Sequence, residues 1–256
     1  MTQRSFPGLM VILINLDRSI QRRQQMEQRL LALGLAYTRL SAVDGKAQWD
    51  TLRSTVDQVA FERHVGRDLM PGEIGCYHSH LQSWQALLQS DRHTLLVLED
   101  DVVFGEDFMA ALGEALQHRH SWDMLNLNKI RAKQPVCQTR VGRYSLNAYM
   151  GPLTGMGAYL ISRDTAARLL PAMLPIVLPI DLELDRVHRH QLRRLGLEPF
   201  PSHVNDENQS TITGQGFAGV KKYPWYRRMP TFKRRLRDLV RKQLYLMQSG
   251  QLFPKK

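Results

Sequence analysis

Between residues 9 and 45 the chain reads strand, helix, strand, and this pattern commits it to a parallel sheet. Residues 9–16 (LMVILINL) form an unbroken apolar run, as a strand buried on both faces requires. The turn-like stretch Asn15-Leu16-Asp17-Arg18-Ser19 follows, with Ser19 placed as an N-cap. Met26, Leu30 and Leu33 then recur at helical spacing until Gly34. Residues 37–42 read as a second strand, closed by the turn Val43-Asp44-Gly45. Such a crossover brings both strand ends to one edge of the sheet, and that edge carries Asn15, Arg18, Asp44 and Gly45.

A second apolar run, Leu95-Leu96-Val97-Leu98, ends in three consecutive carboxylates, Glu99-Asp100-Asp101. Adjacent acids repel, and oxygen ligands clustered at a strand end suit a hard divalent cation that can hold a diphosphate. In open α/β sheets this edge is also where ligands bind. A solvated acidic turn after a buried strand fits the same residues, and local sequence leaves both readings open.

Pro71-Gly72-Glu73-Ile74-Gly75-Cys76 opens a helix through Gln89, with Ile74, Tyr77, Leu81, Trp84 and Leu88 on one stripe. Residues 49–64 read as weakly patterned helix. His78 and His80 point to different faces of the longer helix, which makes them poor joint metal ligands and favours one buried, hydrogen-bonded imidazole. A helix over 106–118 and a strand over 124–127 come next. Residues 129–150 read as a mobile loop or hairpin of the kind that covers a ligand. The glycine-rich 151–157 (GPLTGMG) precedes a strand over 158–162, the reverse of a dinucleotide fingerprint. It fits either a plain turn or a backbone that approaches a sugar or phosphate closely. Asp181 is placed as N-cap of a helix that Gly196 ends. A last short strand over 197–201 follows, then His203 and a polar run over 205–213.

The chain has 256 residues and a net charge of +11. Residues 221–256 contain twelve Lys or Arg and one acid, Asp238, so they carry the whole excess and the first 220 residues are neutral. A neutral body argues against a domain that grips nucleic acid. In the tail, Phe232, Leu236, Leu239, Val240, Leu244 and Met247 fall at helical spacing among basic residues, after Trp225 and Tyr226. A basic amphipathic helix suits an anionic membrane surface, and it could instead lay its apolar stripe on the domain with its charges solvated. The opening apolar run is too short to span a bilayer and lacks a small-residue cleavage site, so no signal peptide is expected. Cys76 and Cys137 form no CxxC pair, which argues against a disulfide scaffold and fits a reducing compartment. The expected division is a domain over 1–220 and a basic amphipathic tail over 221–256.

Four stretches, in order, resemble glycosyltransferase family 25, the bacterial lipopolysaccharide and lipooligosaccharide glycosyltransferases related to collagen galactosyltransferases. They are Ile12-Leu13-Ile14-Asn15-Leu16-Asp17-Arg18 with Val43-Asp44-Gly45, and Pro71-Gly72-Glu73-Ile74-Gly75-Cys76 with Ser79-His80. Leu98-Glu99-Asp100-Asp101 is the third, and Gly157-Ala158-Tyr159-Leu160-Ile161-Ser162 with Pro179-Ile180-Asp181 the fourth. The resemblance implies an α/β, GT-A-like single domain: a mainly parallel central sheet flanked by helices, here with a basic C-terminal helical tail. It implies inverting transfer of a hexose, galactose by family habit, from a UDP-sugar to a lipid-linked oligosaccharide at the cytoplasmic face of the inner membrane.

Under that resemblance Asp101 first, and Glu99 with it, would hold Mn²⁺ or Mg²⁺, with His203 either completing the shell or standing as a surface histidine. Asp100 would touch the donor, and Asn15, Arg18, Asp44 and Gly45 would hold the nucleotide, assisted by Arg22 or Arg23, one of which reads equally as solvated helix charge. Gly155 and Gly157 would let the backbone approach the donor. Asp181 is the candidate general base and Glu183 its reserve. The competing class is a metal-dependent phosphodiester-processing or polyanion-binding protein with a basic tail. It would need further acids converging on Asp101 and a basic groove in the body.

Overall fold

A computed structural model describes residues 6–205 and 220–254. The first strand, β1 (Leu9–Asn15), is followed by α1 (Ile20–Leu33) and β2 (Thr38–Ser41), and the two strands pair in parallel. Gly34 adopts a left-handed conformation (φ 65°) that ends α1, a geometry that costs glycine little. Ser19 stands at the N-cap, but its side chain makes no capping hydrogen bond. Two short helices, α2 (Trp49–Leu52) and α3 (Gln58–Val65), replace the continuous helix expected over 49–64. They lead to α4 (Pro71–Gln89), which begins with proline where the missing N–H is harmless.

After α4 come β3 (Thr94–Glu99), β4 (Val102–Phe104), α5 (Phe108–Gln117) and β5 (Met124–Asn126). Of the mobile loop or hairpin expected over 129–150, the hairpin is what forms, in an ordered set of strands: β6 (Arg131–Ala132), β7 (Pro135–Val141) and β8 (Tyr144–Tyr149). β7 and β8 form a hairpin that extends the main sheet, and β6 pairs with β9 (Leu153–Thr154). Buried Val136, Val141, Leu146 and Ala148 explain the order, because the hairpin contributes to the core. β10 (Ala158–Ser162), α6 (Arg163–Leu169), α7 (Ile180–Leu184), α8 (Val187–His190), β11 (Arg194–Glu198), β12 (Ser202–Val204) and α9 (Met229–Gln248) complete the described chain. The polar run after Asn205 lies outside the described residues.

Three details differ from the sequence expectations in this C-terminal part. Asp181 is not an N-cap: Pro179 holds that place, and the Asp181 carboxylate accepts from the N–H of Leu182 (2.8 Å). Gly196 sits inside β11 and ends no helix. A Cβ there would lie 2.6 Å from the Tyr149 hydroxyl, so the glycine serves close packing. His203 is within β12, which pairs with β4 outside the main sheet.

The eight-stranded sheet has the order β2-β1-β3-β10-β5-β11-β8-β7. β2, β1, β3, β5, β11 and β7 run one way, while β10 and β8 reverse, so pairings of both kinds occur. This is a mixed α/β sheet with helices on both faces and a C-terminal helix. Alternation along the central strands divides the core in two. Val11, Leu13, Leu96 and Leu98 face Met26, Leu30, Leu112 and Trp122 on the side of α1 and α5. Ile12, Ile14, Leu95 and Val97 face Ile74, Tyr77, Trp84 and Leu169 on the side of α4 and α6.

Candidate active site

β1 and β3 are parallel neighbours, so their C-terminal ends open side by side into one cleft. Its lining includes Asn15, Arg18, Asp44, Gly45, Glu99, Asp100 and Asp101, which the sequence spreads over 87 positions. Cys76, Ser79, Arg22 and Lys46 line it as well.

The floor is built by backbone approach. The Ala42–Lys46 turn runs against the first turns of α4 so closely that a Cβ on Gly45 would lie 1.8 Å from the carbonyl oxygen of Pro71. One on Gly75 would lie 2.4 Å from that of Val43. Ser79 Oγ joins the two segments, accepting from the N–H of Val43 (2.9 Å) and donating to the carbonyl of Gly75 (2.8 Å). Gly75→Ala is therefore expected to lower stability by about 3 kcal/mol or more, because only rigid backbone can give way. Urea unfolding measures it, and a loss below 1 kcal/mol would show that the turn can retreat.

The three acids differ in environment. Asp100 accepts from Asn15 Nδ2 (2.6 Å) and pairs with Arg22 (2.5 Å), while Asn15 Oδ1 accepts from Arg39 Nε (3.1 Å). Burial raises the Asp100 pKa above its ordinary value against the pull of Arg22. Asp101 also meets Arg22 (3.0 Å), yet its Oδ1 is buried with no hydrogen-bond partner among the described residues. Burial, then the charge of Glu99, push the Asp101 pKa up to about 7. Glu99 would also be raised by burial, but its hydrogen bond to His80 Nε2 (3.3 Å) and the charge of His80 hold it below the usual range. His80 Nδ1 contacts the Tyr159 hydroxyl (3.1 Å), which accepts from the indole N–H of Trp84 (2.9 Å). His80 is thus the buried, hydrogen-bonded histidine of the pair, and His78 contacts Thr55 at the surface of α4 (2.9 Å).

A buried acceptor without a donor, beside two further carboxylates, is a donor set with an unmet need for positive charge. It fits a hard divalent cation. Ligand atoms of Cys76, His80 and Glu99 also lie within 4.8 Å of one another. That set mixes a thiol with an imidazole and suits a softer ion; burial and the Glu99 charge raise the thiol pKa well above its ordinary value. The carboxylate oxygens of Glu99 and Asp101 suit a hard cation better than that set does.

Other expected site residues separate. The N–H of Asn205 donates to the carbonyl of Asp101 (2.9 Å), so the segment carrying His203 runs beside the acids. His203 itself is exposed opposite Val103 and joins no ligand cluster among the described residues. Gly155 and Gly157 do not line the cleft. A Cβ on Gly157 would lie 2.5 Å from Asn128 Nδ2, and one on Gly155 2.8 Å from the nitrogen of Ile130, so packing accounts for both. The carbonyl of Gly157 does accept from the N–H of Glu99 (2.7 Å). Glu183 is buried against His190 (2.8 Å) and Arg186 (3.1 Å). Burial would raise its pKa, but His190 and the two arginines Arg186 and Arg189 bring it down to about 2. It is an ion-pair acceptor inside α7 and α8, away from the cleft lining. Asp181 does not line the cleft either, and its pKa moves the other way. Burial pushes its pKa up to about 6 against the charge of Arg194, and its own charge acts on Cys76 at the cleft. Buried Arg194, which donates to Asn126 Oδ1 (3.0 Å) and to the carbonyl of Asp181 (3.3 Å), carried no signal in the sequence.

The family model for glycosyltransferase family 25 (LPS biosynthesis protein) matches residues 9–184. The chain belongs to glycosyltransferase family 25. Among family 25 relatives, a glycosyltransferase 25 family member of Aedes aegypti is 29% identical over 168 residues, covering 62% of this chain and 27% of that protein. Procollagen galactosyltransferase 1 of Danio rerio is 32% identical over 129 residues, 47% of this chain and 21% of that protein. The inactive glycosyltransferase 25 family member 3 of Mus musculus is 29% identical over 136 residues, 46% and 22% respectively. The chain therefore spans about a quarter or less of the length of these curated relatives. The family 25 match contains both walls of the cleft and ends just beyond Asp181.

Proposed function

We propose that the protein is an inverting glycosyltransferase that moves a hexose, galactose in the first instance, from a UDP-sugar to a lipopolysaccharide or lipooligosaccharide glycan. The observation that carries this reading is the orphaned, buried Asp101 Oδ1 in a cleft whose other wall is the β1 turn. Asn15, Arg18, Asp44 and Gly45 stand on that wall to take the nucleotide. Arg18 is paired with Asp44, and Arg22 bridges Asp100 and Asp101, so the cleft's arginines are matched by acids and do not form a polyanion groove. That pairing disfavours the phosphodiester-processing alternative.

Asp101 and Glu99 would hold Mn²⁺ or Mg²⁺, and His203, exposed opposite Val103, is left out of the shell. The cation would neutralise the charge that develops on the diphosphate leaving group. Asp100, held by Asn15 and Arg22, would orient the donor. Asp181 would remove the proton from the attacking acceptor hydroxyl. The acceptor would be a lipid-linked oligosaccharide, with the enzyme peripheral at the cytoplasmic face of the inner membrane. Among the described residues no helix is long and apolar enough to cross a membrane.

Calorimetric titration with UDP-galactose and Mn²⁺ tests the reading. Binding tighter than about 1 mM is expected, the ordinary upper range for enzyme substrates. A panel of nucleotide sugars that all fail at that concentration would reject it.

A further inference from the structure

The face that α9 turns to solvent is the wrong one for an ordinary surface helix. At about 3.6 residues per turn, Thr231, Arg234, Asp238, Lys242 and Leu246 share one side, and all five are buried. Arg234 donates to Asp238 (2.7 Å), and Arg186 Nε lies 3.4 Å from the same carboxylate. Lys242 Nζ donates to Asp185 (2.7 Å) and to the carbonyl of Gly151 (2.8 Å). Thr231 Oγ1 donates to the carbonyl of Arg63 (3.0 Å). Asp238 and Lys242 are thus spent on the domain, and Arg234 is held by Asp238 within the helix. Phe232, Leu236, Leu239, Val240, Leu244 and Met247 occupy the other side, each between 41% and 64% exposed. This reverses the docking that amphipathicity alone suggests. A contiguous exposed apolar stripe of this length marks a contact surface.

We infer that this stripe is a docking face for an anionic lipid bilayer, which deepens the membrane part of the reading above. Charge decides the occupant. Exposed Lys233, Arg237 and Arg241 run along one flank of the stripe, and exposed Trp225 and Tyr226 stand just before the helix. Cations beside an apolar face match lipid phosphates, and exposed aromatics suit the headgroup level. A second copy of the chain would bring two such basic flanks together, and the tail's only acid, Asp238, is buried in the clamp. The helix lies in the plane of the interface, apolar side down, and the clamp fixes the domain above it.

Co-sedimentation of the full chain with phosphatidylcholine vesicles, with and without phosphatidylglycerol, tests this. Retention on the phosphatidylglycerol vesicles is expected, and weak retention on phosphatidylcholine alone. The variant L236S/V240S/M247S is expected to lose at least about tenfold in affinity, and R237E/R241E at least about fivefold per residue changed. All five side chains are exposed, so circular dichroism melts should match the wild type. The inference is overturned by a wild type that stays in solution, or by equal retention of the serine variant. A dimer seen by light scattering that the serine variant breaks, without vesicle binding, would assign the face to a second copy. Vesicle binding needs no sugar transfer, and donor binding is measured without vesicles, so the two readings fail separately.

Discussion

Asp101→Asn is expected to lower donor turnover by about 10²–10³-fold while leaving the fold intact, an effect of the size found when one electrostatic stabiliser of a transition state is removed. The substitution keeps the shape of the side chain and removes its charge. The bond from Asn205 goes to the backbone carbonyl of residue 101 and survives. The Oδ1 atom has no donor to lose among the described residues. Removing one of three crowded acids also relieves the repulsion from Glu99 and Asp100 that raises the Asp101 pKa. Stability should therefore hold or rise while activity falls, a combination that a merely structural aspartate does not give. Turnover within threefold of the wild type, measured as release of the nucleoside diphosphate with Mn²⁺, would take Asp101 out of the machinery.

Asp181→Asn should cost transfer about 10²–10⁴-fold, the usual contribution of a general base, with donor affinity unchanged. The pH dependence separates this from a structural effect. A carboxylate with a pKa of about 6 is the effective base only above that pH, so wild-type kcat/KM should fall about tenfold per unit below pH 6. The asparagine variant should lack that limb. Stability has the opposite sign. The folded pKa is raised above the ordinary value of 3.8, so the folded state holds this proton more tightly than the unfolded chain. The stability this adds is complete below about pH 4 and is lost as the pH rises through about 6. The substitution should then raise the unfolding midpoint relative to wild type at pH 7 and not at pH 4. A pH–rate profile with the same limb in both proteins would assign the base elsewhere.

The central strands and the acidic cleft were legible in the sequence because both arise from local pattern. Residues 9–16 and Leu95–Leu98 are apolar on both alternations, which only a strand covered on two sides tolerates. A parallel pair then brings Asn15 beside Glu99 without further information. Residues whose surroundings come from distant segments were not legible. Glu183 and Asp181 are two positions apart on one short helix. His190 and Arg186 make the first an ion-pair acceptor, while burial near Arg194 leaves the second with a raised pKa. Gly155 and Gly157 were visible as glycines, but Asn128 and the chain at Ile130 decide what the missing side chains are for. In α9 the spacing defined two faces and could not say which one the domain would take. Asp185, Arg186 and the carbonyl of Gly151 decided that, and none of them is near in sequence.

The contacts from Trp84 to Glu99 have a direction. An indole N–H only donates, so it must point at the Tyr159 oxygen, and an ionised carboxylate only accepts, so His80 must turn a protonated Nε2 toward Glu99. Nδ1 of the same ring lies 3.1 Å from the Tyr159 oxygen, which already accepts from Trp84. The donors at the two ends of the series, Trp84 Nε1 and His80 Nε2, therefore face outward, from the packed interior to the cleft. The negative charge of Glu99 is solvated by the protein's own core, through groups that solvent does not reach, and its side chain is held in place before any substrate arrives.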